Sequence, residues 1–152
     1  MTILIVNRQR TKKINTRLVR RIAVALLGEF KIAEAELGVN LVGRKEMTEI
    51  NERFLRHAGP TDVVAFNFAD DHGAGIALHG ELFICVPEAV AQSRVFGADW
   101  QSELVRYLVH GVLHLLGHDD RRPAARRRMQ REENRRLRSP AGKFCLAQIG
   151  RS

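Results

Sequence analysis

The sequence predicts an α+β fold: a single small mixed sheet packed with helices. Three observations carry this. Strand-like and helix-like segments alternate irregularly rather than in a strict βαβ rhythm, and no internal repeat recurs. The length of 152 residues fits one domain over 1–152. With 45% hydrophobic residues, such a chain is expected to bury roughly 68–70% of its unfolded surface. A mixed α/β layer stands as the neighbouring alternative.

Residues 2–6 are rich in β-formers and predict a short first strand. From Ile14 to about Leu27, Leu18, Ile22, Ala25 and Leu26 fall at helical spacing. Residues 34–43 alternate as a strand, and 44–55 read as a helix that Gly59-Pro60 would break. Residues 62–68 predict a strand with Val63, Ala65 and Asn67 on one face and Val64, Phe66 and Phe68 on the other. A turn over 70–75 leads to a strand over 78–86. Pro87 suits the start of a helix, where its missing N–H costs nothing. Asp99 is a plausible N-cap for a longer helix to about Leu116, ended by Gly117. Pro123 can open a last helix.

Basic residues outnumber acidic ones by 25 to 17, and the excess is local. Residues 1–120 carry 14 basic and 15 acidic side chains; residues 121–152 carry 11 basic ones against only Glu132 and Glu133. Nine arginines lie between Arg121 and Arg138. An ordinary charge run is a solvated helix face, but arginine without lysine favours phosphate contacts and so a nucleic-acid partner. The stretch Arg8–Arg21 holds seven basic residues and no acid, and either extends that surface or flanks a helix. No apolar run approaches about 18 residues, so no membrane span is expected. Residues 1–6 are too short for a signal-peptide core. Cys85 and Cys145 make neither a disulfide framework nor a Cys-based zinc site, which points to a reducing, cytoplasmic setting. Cys85 reads as a small buried hydrophobe, and Trp100 and Tyr107 read as packing residues.

The densest chemistry is His110-Gly111-Val112-Leu113-His114-Leu115-Leu116-Gly117-His118-Asp119-Asp120. On a helix, His110 and His114 lie one turn apart, about 40° around the axis, so their imidazoles project together. Leu104, Leu108, Val112 and Leu115 fall on the opposite arc and predict the core face. Two imidazoles at this spacing can grip one metal ion at the C-terminal end of the helix. Gly117 turns the chain back, and either Asp120 or His118 can supply a third ligand. His118 can instead support a ligand from behind or contact substrate. Gly111 follows the first histidine, where zinc proteases of the H-E-x-x-H type carry their general base, so the motif supplies none. Glu103, two turns before His110, lies near the same face, either beside the ligands or solvated.

The segment HGVLHLLGHDD resembles the signature H-G-x-L-H-L-x-G-[aromatic or His]-D-H of the YbeY family, metal-dependent endoribonucleases linked to ribosomal RNA maturation. Upstream, Pro60-Thr61-Asp62-Val63-Val64-Ala65-Phe66 resembles its P-T-D-V-L-S-F segment. Gly80-Glu81-Leu82-Phe83-Ile84-Cys85 resembles its G-[DE]-I-x-I-[CS] strand, and the likeness covers roughly residues 35–120. Three departures stand out. Asp120 occupies the place of the third histidine ligand. Leu55 stands where the family has an arginine, with Arg56 adjacent. Ala65 and Asn67 replace serine and proline. An aspartate offsets one charge of a zinc ion, so bound water is expected to be less acidic than at a three-histidine site. These departures bear on activity and on metal preference.

The resemblance implies a zinc-dependent, single-strand-specific endoribonuclease with one Zn2+ per chain, acting in ribosomal RNA maturation and ribosome quality control. A zinc ion with an open position lowers the pKa of its water to about 7 or polarises a phosphate oxygen. In that scheme His110, His114 and Asp120 hold the metal and Arg56 contacts the phosphate. The tail arginines Arg121, Arg122, Arg126, Arg127 and Arg128 hold the RNA backbone. A non-catalytic RNA- or ribosome-binding factor with a structural metal is the second reading. A metallohydrolase acting on peptides is the third, disfavoured by the missing glutamate and the polycationic end.

Overall fold

The computed structural model describes residues 1–55, 62–68, 77–118 and 120–151, without the side chains of Leu55 and Ala77. Arg56, Gly59, Pro60, Thr61 and the turn expected over 70–75 lie outside the described residues. Among the described residues four strands form one mixed sheet, β1 (Thr2–Asn7), β2 (Glu34–Val42), β3 (Val63–Asn67) and β4 (Ala77–Cys85), in the order β1-β2-β4-β3. β1 and β4 both run parallel to β2, while β3 pairs antiparallel with β4. Parallel neighbours need a crossover connection, and helix α1 (Thr16–Glu29) supplies it between β1 and β2. The other helices are α2 (Arg44–Ile50), α3 (Val86–Phe96), α4 (Trp100–Leu115) and α5 (Pro123–Lys143), with a 3-10 turn over Leu146–Gly150. The α+β expectation with a mixed sheet therefore holds.

Alternation along the strands sends side chains to two cores. Leu37, Val39 and Leu41 of β2 and Leu82 and Ile84 of β4 join Ile22 and Leu26 of α1 and Leu108 and Val112 of α4 in the larger one. The intervening residues Val42, Val64 and Cys85 pack with Met47 and Ile50 of α2 in the smaller one. α1 and α4 thus cover one face of the sheet, and α2 covers the other. Val63 and Ala65 pack against the larger core and Val64 joins the smaller, which separates the faces of β3 as alternation predicts.

The element ends follow local chemistry. α1 starts at Thr16 rather than Ile14 because the Asn15 side chain caps it, accepting a hydrogen bond from Leu18 N at 3.1 Å. The helix expected over 44–55 is α-helical only to Ile50 and continues as a π-helical turn over Asn51–Leu55. Asn51, a weak helix former, sits buried at that switch. Pro87 lies in the first turn of α3, and Asp99 caps α4 by accepting from Ser102 N at 2.8 Å.

Candidate metal centre

α4 lies between the sheet and the other C-terminal helices, touching β3, β4, α3 and α5. Its apolar arc is fully committed: Leu104, Leu108, Val112 and Leu115 are all buried. Gly111 lies against the sheet so closely that a Cβ there would meet Leu82 Cδ2 at 2.8 Å and Val63 Cγ1 at 3.2 Å. The position after the first histidine therefore serves packing. His110 and His114 are left on the half-exposed arc.

The end of α4 is closed by Gly117 in the left-handed region, φ 95°. His118 N donates to Leu113 O and Gly117 N to His114 O, both at 3.0 Å, the paired bonds of a Schellman cap. From β3, the Asn67 side-chain amide donates to Leu115 O at 3.2 Å, so this departure from the family pattern satisfies another helix-end carbonyl. The chain reverses and brings Asp120 back over the histidines. His110 Nε2 and His114 Nε2 are 3.1 Å apart, and Asp120 Oδ2 lies 3.8 Å from the first and 3.5 Å from the second. Nitrogen and oxygen ligands at about 2.0–2.2 Å in a tetrahedron stand roughly 3.3–3.6 Å apart. The triangle's edges of 3.1, 3.5 and 3.8 Å bracket that spacing, so shifts of a few tenths of an ångström bring it to one tetrahedral face, and its donor set suits a borderline-soft divalent ion. His110, His114 and Asp120 form the one group of this kind among the described residues.

Glu133, on α5, completes the arrangement, and nothing in the sequence pattern singled it out. Its Oε2 lies 2.8 Å from His110 Nδ1, and its Oε1 accepts from Arg106 Nη1 at 3.1 Å. With Nδ1–H given to the carboxylate, Nε2 of His110 keeps its lone pair facing His114 and Asp120. Burial alone would lower the His110 pKa. The hydrogen bond to Glu133 and the charges of Glu133, Asp62 and Asp120 outweigh it and leave the value raised. Glu103 is not simply solvated: its side chain is only 13% exposed, 3.6 Å from Arg106, and burial raises its pKa.

His118 points elsewhere, into a separate open depression of about 410 Å³ that it shares with Arg128, Arg131, Glu132 and Arg135. The tail arginines divide by helix face. Arg126 borders the metal-side cleft and donates to Asp120 O at 3.0 Å. Arg136 is tied to Glu132 at 2.7 Å and lies 4.3 Å from the Phe30 ring centre. Arg121, Arg122, Arg127 and Arg128 are exposed around the start of α5.

A two-histidine, one-carboxylate triad at the end of a helix laid on a small mixed sheet is the donor set of a candidate metal site. The chain belongs to the endoribonuclease YbeY family, whose model matches residues 3–140. An endoribonuclease YbeY from Chlorobium luteolum is 34% identical over 134 residues, 88% of this chain and 94% of that protein. One from Elusimicrobium minutum is 37% identical over 112 residues, 73% of this chain and 78% of its own length. A solution structure from Thermotoga maritima superposes with a TM-score of 0.66 over 93% of this chain and 91% of that one. At 23% identity, that likeness bears on the fold alone.

Proposed function

We propose that this protein is a metal-dependent endoribonuclease that cleaves single-stranded RNA during ribosomal RNA maturation, acting as one domain in the cytoplasm. The observation that carries the reading is the His110–His114–Asp120 triangle, at the end of α4 in a chain of an endoribonuclease family. One zinc ion held there would supply Lewis acidity toward a phosphodiester oxygen or a water. His110 and His114 would hold it through Nε2, with the His110 proton kept on Nδ1 by Glu133, and Asp120 would supply the anionic oxygen.

The arginine-rich helix favours a polyanionic partner, a ribosomal RNA precursor or the ribosome itself. Helical geometry sorts its residues: Arg128, Arg131 and Arg135 fall within about 60° of arc on one face, and Arg126 and Glu133 on the opposite one. The strip Arg128–Arg131–Arg135, with His118, is the surface on which this reading places phosphates; Arg121, Arg122 and Arg127 extend it toward the helix start. Arg56 is retained as a phosphate contact by its place in the sequence. No helix among the described residues is long and apolar enough to cross a membrane.

The test is zinc content and RNA cleavage measured together on the wild-type protein and His110→Ala. Loss of both in the variant is expected; wild-type levels of both would sink the reading. Metal binding without any cleavage by the wild type would favour the non-catalytic ribosome-binding factor.

A further inference from the structure

Beside the triad lies a cleft of about 510 Å³, within the roughly 300–1,000 Å³ range of small-molecule sites. Three helices build it. α3 contributes Glu88, Gln92 and Phe96 at successive turns; α4 contributes Glu103, Tyr107 and His110 along one stripe; α5 closes the far side with Met129 and Glu133. His110 and Asp120 line this cleft and also belong to the triad, so whatever fills it lies next to the metal.

Its chemistry is wrong for a phosphate. Asp62, Glu88, Glu103, Asp120 and Glu133 face it against Arg106 and Arg126, and both arginines already donate to protein oxygens. An RNA strand must therefore present its uncharged part here. Two features say what that part is. Phe96 stands at the rim with 72% of its surface exposed, a flat apolar face with nothing stacked on it among the described residues. In the same cleft Tyr107 is 5% exposed, and its buried hydroxyl has no hydrogen-bond partner among the described residues. Tyr107 lines the cleft together with Asp62, Glu88 and Glu103, and burial first, then the charges of Asp62, Glu103 and Glu88, raise its phenol pKa. A buried hydroxyl left unpaired costs free energy that a polar ligand would recover.

We propose that this cleft is a nucleobase pocket that receives one unpaired base carrying an exocyclic amino group, stacked on Phe96 and hydrogen-bonded by Glu103 and Tyr107, next to the scissile phosphate. The inference rests on the RNA-cleaving reading above and sharpens it to a base preference. Carboxylates accept from amino groups such as cytosine N4, and stacking on an aromatic ring holds a splayed-out base of any kind. Uracil, which presents a carbonyl oxygen in place of the amino group, meets like charge at the carboxylates. Glu88, held by Arg44 at 3.2 Å and by Gln92 at 2.9 Å, forms the fixed wall of the pocket.

The experiment measures anisotropy of labelled, cleavage-resistant 2′-O-methyl tetracytidylate and tetrauridylate with the zinc-loaded full chain. The wild type is expected to bind the cytosine oligomer about tenfold more tightly. Glu103→Met, which keeps side-chain length and removes the acceptors, should close that gap. Phe96→Ala, at an exposed position that leaves the core untouched, should weaken both oligomers about fivefold or more while keeping their ratio. Equal affinity for the two oligomers, or a Phe96→Ala variant that binds like the wild type, would overturn the pocket while leaving the nuclease reading intact. Absence of any RNA binding or cleavage would overturn both.

Discussion

At the scale of single residues, the histidine pair was legible because its i, i+4 spacing alone puts two imidazoles side by side. The third candidate ligand was legible only as Asp120 with His118 as its rival, since a turn after Gly117 can aim either one. The bonds His118 N to Leu113 O and Gly117 N to His114 O decide the direction, and they send the His118 side chain toward Arg128. Glu133 was illegible for another reason: it lies 23 residues from His110, in a segment whose composition advertises only arginine. Its hydrogen bond fixes the ring of a candidate metal ligand, and such partners are worth about 10–100-fold in metal affinity. Glu133→Gln should lower zinc affinity by about that factor in a chelator competition, whereas His118→Ala should leave it unchanged. Cys85 offers a pH test. Burial pushes its thiol pKa up, so the reactive thiolate is scarcer in the fold than in the unfolded chain at any given pH. At pH 8, iodoacetamide should label the exposed Cys145 and spare Cys85 until denaturant is added, with rapid native labelling of both as the contrary result.

At the scale of elements, strands and helices were readable from periodicity, with boundaries shifted by a residue or two where caps decide. α2 was overextended because its hydrophobic spacing carries on past Ile50 while the hydrogen bonding changes to a π turn. α4 is the element on which the account turns, and Gly111 sets its distance from the sheet. Alanine there would gain about 1 kcal/mol in helix propensity but overpack Leu82, which is fully buried, at a typical cost of about 1–3 kcal/mol. Overpacking wins, because the neighbour has no solvent to move into. Gly111→Ala should lower stability by up to about 2 kcal/mol, read as a Tm fall of up to about 8 °C, and a raised Tm would argue against so close a contact.

At the scale of the molecule, the charge arithmetic located the basic surface without its orientation. α5 is anchored by Met129 and Glu133, both buried, and that anchoring turns Arg126 toward the metal-side cleft and Arg128, Arg131 and Arg135 away from it. Composition cannot reveal which arginines share a face; the buried positions Met129 and Glu133 do. Replacing Arg128, Arg131 and Arg135 together by alanine should flatten the log–log salt dependence of single-stranded RNA binding by about 2, at about 0.7 per phosphate contact. An unchanged slope would remove this strip from the interface. The acidic cleft was equally hidden, because Glu88, Glu103 and Glu133 come from three helices that only the fold brings together.

The central claim, that His110, His114 and Asp120 hold a metal on which RNA cleavage depends, is tested most directly at Asp120. Metal content and cleavage of single-stranded RNA are measured on the same preparations of the wild type and Asp120→Ala. One ion per chain with cleavage in the wild type, and loss of both in the variant, is the predicted result. An Asp120→Ala protein that keeps its metal and cleaves at the wild-type rate would contradict the account.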